Sequence, residues 1–147
     1  MAMKKKEPYI VRVNVRFTDT DANGHVNNGS YNAYGDEARF RLFQDIGMNH
    51  DSLIAAGIRP MLLRSEFEYK GEAFFGDIIR IETFVEPYKR TRALFHHRMV
   101  REKDEKVVCI SRAVGIWLDL STNRPVSLPD DAREILNNWV VSEAPVW

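Results

Sequence analysis

The sequence predicts an α+β protein in which an antiparallel sheet wraps around one long helix. Three observations lead there. The periodic segments run strand, long helix, four strands, short helix. The long helix carries apolar residues over an arc wider than a surface helix needs, so more than one side of it must be covered. The longest strand presents a face of small residues, Cys109, Ser111, Ala113 and Gly115, which lets another element come close.

The elements follow in order. In "YIVRVNVRF", Tyr9, Val11, Val13, Val15 and Phe17 share one face, Arg12, Asn14 and Arg16 the other, and Ile10 is out of phase. Period two reads as a strand. In "NNGSYNAYGDEARFRLFQDIG", Tyr31, Tyr34, Ala38, Leu42 and Ile46 recur at helical spacing, with Ala33, Phe40 and Phe43 as a second stripe. Gly35 costs roughly 1 kcal/mol against alanine in a helix interior, which a close neighbour would rationalise. Asn27, Asn28 or Ser30 can cap the start and Gly47 can close the end. A short helical turn over "DSLIAAG" follows.

Beyond Pro60 the pattern turns to strands. Leu63, Ser65, Phe67 and Tyr69 alternate with Arg64, Glu66, Glu68 and Lys70, and "GEAFFGD" reads as a turn. "DIIRIETFVEPY" and "TRALFHHRMVR" are two strands joined by a polar link. "EKDEK" turns the chain into the longest strand, "KVVCISRAVGIWLDL". The tail "SLPDDAREILNNW" reads as a terminal helix with Asp130 or Asp131 in its first turn. One-face alternation in the later strands suits an antiparallel sheet.

Composition narrows the function. A chain of 147 residues fits one domain, 1–147, with residues 1–7 as a flexible arm. Its 21 Lys plus Arg balance 21 Asp plus Glu, so no global basic field gathers nucleic acid or anionic membrane. No apolar run approaches the roughly 18 residues of a membrane span. "MAMKKKEPY" lacks the apolar core of a signal peptide. Cys109 is the only cysteine, which excludes an intramolecular disulfide and points to a reducing, cytoplasmic setting. Adjacent His96 and His97 face opposite sides of their strand and make no metal pair by themselves. No GxSxG supports a serine hydrolase.

The chemistry concentrates in "DTDANGHVNN", Asp19 to Asn28. A tight turn needs Asn, Asp and Gly, but neither a histidine nor so many carboxylates and amides. The stretch runs into the long helix, whose start offers unpaired N–H groups and partial positive charge, suited to the oxyanion of a carbonyl under attack. Asp21 stands just upstream as a base or nucleophile, Asn23 and His25 add donors and acceptors, and Gly24 lets the chain bend. These are the parts for acyl hydrolysis. Asp19 is expected to tie the turn together. Glu37 and Arg39 read as ion-pair or interface residues.

"RFTDTDANGHVNNGSYNAYGDEAR" resembles the motif of hot-dog fold thioesterases of the 4-hydroxybenzoyl-CoA thioesterase-like family, and "DANGHVNN" resembles the active-site stretch of plant acyl-carrier-protein thioesterases. With the strand order, helix length and the later Gly76–Asp77, the likeness spans nearly the whole chain. It implies a five-stranded antiparallel sheet around the central helix and hydrolysis of an acyl-CoA or acyl-carrier-protein thioester. Asp21 matches the catalytic carboxylate, the Asn28 N–H the donor that polarises the thioester, and Asn23 and His25 the polar pair. The plant enzymes' further acidic or thiol residue has no match here. The likeness also implies no metal or bound cofactor, and a homodimer or homotetramer with sites between subunits. Lys89, Arg90 and Arg92 are then candidates for the phosphates of coenzyme A or for a carrier surface. The rival readings are a non-catalytic acyl-binding module on the same fold and a hydratase, a branch that usually shows a different Asp/His or Glu motif on its helix and against which the thioesterase-type turn argues.

Overall fold

The computed structural model describes residues 7–137, without the side chains of 87–89. Its elements are β1 (Tyr9–Asn14), α1 (Asn28–Asp45), α2 (His50–Ala55), β2 (Ile58–Tyr69), β3 (Ile78–Lys89), β4 (Arg92–Arg101), β5 (Lys106–Asp119) and α3 (Asp130–Leu136). The strands form one sheet in the order β1-β3-β4-β5-β2, every neighbouring pair antiparallel. The arm expected at residues 1–7 lies outside the described residues save for Glu7, which is exposed.

The sheet curls over α1. Tyr31, Tyr34, Ala38, Leu42 and Ile46 are all buried, as their spacing predicts. Gly35 is buried on the side of α1 that faces the sheet. A Cβ there would stand 3.4 Å from Arg39 Nη1 and 3.7 Å from His97 Cδ2, ordinary contact distances, so α1 lies against β4 at this point. Asn27 caps α1, its side chain accepting from the Gly29 N–H, and Gly47 turns the chain away with φ +79°. The strand-and-helix plan is the hot-dog fold that the motif implied.

Three expectations need correction. Phe17 does not continue β1; it opens a one-turn 3-10 helix and is exposed. The cause is local, because the Asp19 carboxylate accepts from the Arg16 N–H at 2.9 Å and ends the extended run. Leu63 does not follow the alternation of β2, since a bulge falls between Leu62 and Arg64 and a bulge shifts the side chains that follow it. The second helical stripe is mostly outside. Ala33 and Phe40 are exposed, and only Phe43 turns inward, edge-on to Phe95 and Trp117.

Candidate active site

The turn before α1 is built from its own polar groups. Thr20 and Val26 form an isolated antiparallel bridge, and between them the Gly24 N–H donates to the Asp21 carbonyl at 2.9 Å. Gly24 has φ +79°, a conformation that glycine adopts without steric penalty. The Asn23 N–H donates to Asp21 Oδ1 at 2.9 Å. This aspartate turn holds the carboxylate in place while leaving Oδ2 without a protein donor among the described residues. Asp21 is exposed.

Asn28 is the first residue of α1. The next two N–H groups are occupied, that of Gly29 by Asn27 Oδ1 at 2.7 Å and that of Ser30 by the Asn27 carbonyl at 3.0 Å. The Asn28 N–H has no acceptor among the described residues, belongs to an exposed residue and stands at the positive end of an 18-residue helix. One turn thus carries an open carboxylate oxygen and an open amide donor.

His25 is half-buried. Its Nδ1 lies 3.1 Å from the Val26 carbonyl, an acceptor only, so Nδ1 carries the proton in this geometry. Nε2 is 3.9 Å from Glu72. Glu72, 47 residues away in sequence, gives no local signal of this approach. Asn23 is exposed, its backbone spent on Asp21.

Asp19 is the clasp beneath. It is buried and accepts from the Arg16 N–H and guanidinium and from the Tyr34 hydroxyl at 3.0 Å. Its carbonyl takes the Asn27 N–H at 2.9 Å and the Ser30 hydroxyl at 2.8 Å. Burial alone would raise its pKa, but the hydrogen bonds from Arg16 and Tyr34 outweigh it and hold the carboxyl below its ordinary value. A second tie, from the Val26 N–H to the Ala73 carbonyl at 2.8 Å, fastens the turn to the loop before β3.

The other polar candidates lie elsewhere. Arg90 is exposed and Arg92 half-buried at the β3–β4 hairpin tip, and the Lys89 side chain lies outside the described residues. The site turn adjoins the opposite end of β3, roughly 36 Å away along the strand. Within one chain, the hairpin does not join the site. Glu37 pairs with Arg41, whereas Arg39 is buried and bonds Asp36 and, at 3.1 Å, His97 Nε2. His97 Nε2 is therefore an acceptor, and Nδ1 donates to Thr83 Oγ1 at 2.9 Å. Burial, then the charge of Arg39, keeps this imidazole neutral with its pKa well below the usual histidine value.

The family model of the thioesterase-like superfamily matches residues 15–136, the site turn included. The chain belongs to this superfamily. It is 28% identical to the acyl-CoA thioester hydrolase YbgC of Escherichia coli over 105 residues, 67% of this chain and 78% of that one. It is 24% identical to the chloroplastic acyl-acyl carrier protein thioesterase ATL3 of Arabidopsis thaliana, over 84% of this chain and 64% of that one. Among solved structures, a hypothetical protein of Aquifex aeolicus superposes with a TM-score of 0.79 at 26% identity, covering 88% of this chain and 99% of that one.

Proposed function

We propose that this member of the superfamily hydrolyses an acyl thioester, carried by coenzyme A or by a carrier protein, to a free acid and a thiol. The observation that carries the reading is the pairing of the Asp21 carboxylate with the open Asn28 N–H on one turn. The thioester carbonyl accepts from the Asn28 N–H, which with the helix end stabilises negative charge on that oxygen; one such donor is worth about 3–4 kcal/mol. Asp21 either takes the proton of a water that attacks the carbonyl carbon, so that the C–S bond breaks to give the acid and the thiolate, or attacks that carbon itself, expelling the thiolate and leaving a mixed anhydride that water then hydrolyses. The thiolate takes up a proton to become the thiol. Asn23 and His25 orient the water or the carboxylate, with Glu72 facing the second ring nitrogen of His25. The chemistry uses side chains and backbone throughout. The names of the relatives support both donors, one an acyl-CoA hydrolase and the other an acyl-carrier-protein thioesterase.

The active unit in this reading is at least a homodimer. β2 is an edge strand of twelve residues, with Met61, Leu62, Leu63 and Tyr69 all exposed, and a long apolar edge is a template for a second strand. A second copy is also what could bring Arg90 and Arg92 to the donor's phosphates.

The test is thiol release from short, medium, long and aromatic acyl-CoAs and from an acylated carrier protein, with wild type and Asp21→Asn. Release that falls by two or more orders in Asp21→Asn is the expected result. Ligand-dependent stabilisation without release from any donor would instead mark a binding module. Light scattering on the same sample gives the subunit number, and a monomer that turns over at full rate would remove the interface from the account.

A further inference from the structure

Between α1 and the β2 edge lies a pocket of about 140 Å³, far along the helix from the site turn. Phe43, Phe95 and Trp117 wall it, with Phe43 edge-on to Phe95 at 5.8 Å and to Trp117 at 5.4 Å between ring centroids. Gly115 also lines it: a Cβ there would make ordinary contact, 3.4 Å from Phe95 Cε2 and 3.9 Å from the Met61 carbonyl, and a larger side chain would intrude on the space. Arg39, itself 9% exposed, places a guanidinium in the wall, fixed by Asp36 and His97. On one side, Met61 and Leu62 of the edge strand form an exposed rim.

Nothing in the site turn uses these residues. A cavity of roughly 150 Å³ with apolar walls holds one benzene ring, edge-on ring contacts favour a further aromatic ring, and a cation on the wall rewards a π face. Arg39 follows Asn28 by eleven positions, about three turns and ~16 Å along α1, and so returns to the same side of the helix. We infer that this pocket receives the far end of the substrate's acyl group, and that it fits a ring-sized terminus at the end of an acyl chain. The inference rests on the thioesterase reading and adds the part of the substrate that sets its selectivity.

Phenylhexanoyl-CoA and hexanoyl-CoA differ only in the terminal ring. The ratio of their kcat/KM values is measured for wild type, Gly115→Ala and Gly115→Val, with Phe40→Ala, an exposed change on α1 outside the pocket lining, as control. One methylene gained or lost in an apolar pocket changes selectivity about 10–200-fold, so the ratio should favour the ring in wild type. It should fall by at least tenfold in the Gly115 variants and stay unchanged in Phe40→Ala. Binding is read without turnover from tryptophan emission titrated with free phenylhexanoic or hexanoic acid, with Trp117→Phe identifying the responding ring. A Trp117 response to the phenyl acid that Gly115→Val abolishes supports the pocket even if no thioester is hydrolysed, in which case the hydrolase reading alone fails. Thiol release with no ring preference and no Trp117 response would overturn the inference and leave the hydrolase reading intact.

Discussion

Asp19 and Asp21 sit two residues apart on one turn, in opposite surroundings. Asp19 is buried, and both its oxygens are taken: Oδ1 by the Arg16 guanidinium, Oδ2 by the Arg16 N–H and the Tyr34 hydroxyl. Asp21 is exposed and holds one local bond, from the Asn23 N–H. A buried carboxylate with both oxygens bound is closed to a substrate. It stabilises the chain instead. A carboxylate fixed through one oxygen and open at the other is positioned and still reactive. In the proposed mechanism, the bonds that Asp19 makes give the turn the rigidity that positions Asp21.

Asp19→Ala should be the most damaging change to the fold. It strips the acceptor from a backbone N–H and a buried hydroxyl, and each buried donor left unsatisfied costs roughly 1–3 kcal/mol. Urea unfolding should show that loss, while Asp21→Ala stays within about 0.5 kcal/mol of wild type, as exposed positions do. Equal losses would abolish the contrast. Acid should act through the same group. Because the folded carboxyl of Asp19 titrates below its ordinary value, its stabilisation is present in full above the unfolded pKa of about 3.9. It is lost as pH falls through the folded value. Asp19→Asn should therefore flatten the acid limb of the stability curve.

Tyr34→Phe comes next. It removes one donor from a charged acceptor, worth about 1.5–3 kcal/mol, and should loosen the turn without touching Asp21. Amide exchange at Asn27, whose N–H bonds the Asp19 carbonyl, would report this directly. The smallest of the series is Asn27→Ala. Losing that cap should cost about 1 kcal/mol of stability, and thermal melting is sensitive enough to see it.

What the sequence disclosed and what it hid divide along chain separation. The buried stripe Tyr31 to Ile46, a cap among Asn27, Asn28 and Ser30, the turn at Gly24 and the small face of β5 are legible because each depends on neighbours within a few residues. Phe17 departs from the strand because the side chain of Asp19, two residues on, bonds the Arg16 backbone and overrides the alternation. The offset at Leu63 is set by pairing with β5, which period-two patterns do not encode. Glu72 beside His25 and His97 beneath Arg39 join residues 47 and 58 positions apart. No local pattern records those meetings. The family motif reached Asp21 and Asn28 from the sequence, while the open oxygen and the open N–H needed three dimensions.

The most direct measurement is thiol release by wild type, Asp19→Asn and Asp21→Asn on one acyl-CoA that the wild type hydrolyses, with the urea midpoint of each protein taken alongside. The account predicts that Asp21→Asn loses about 10²–10⁴-fold in turnover at an unchanged midpoint, while Asp19→Asn shows a lowered midpoint. Full turnover by Asp21→Asn, or a loss of turnover matched by an equal loss of stability, would contradict it.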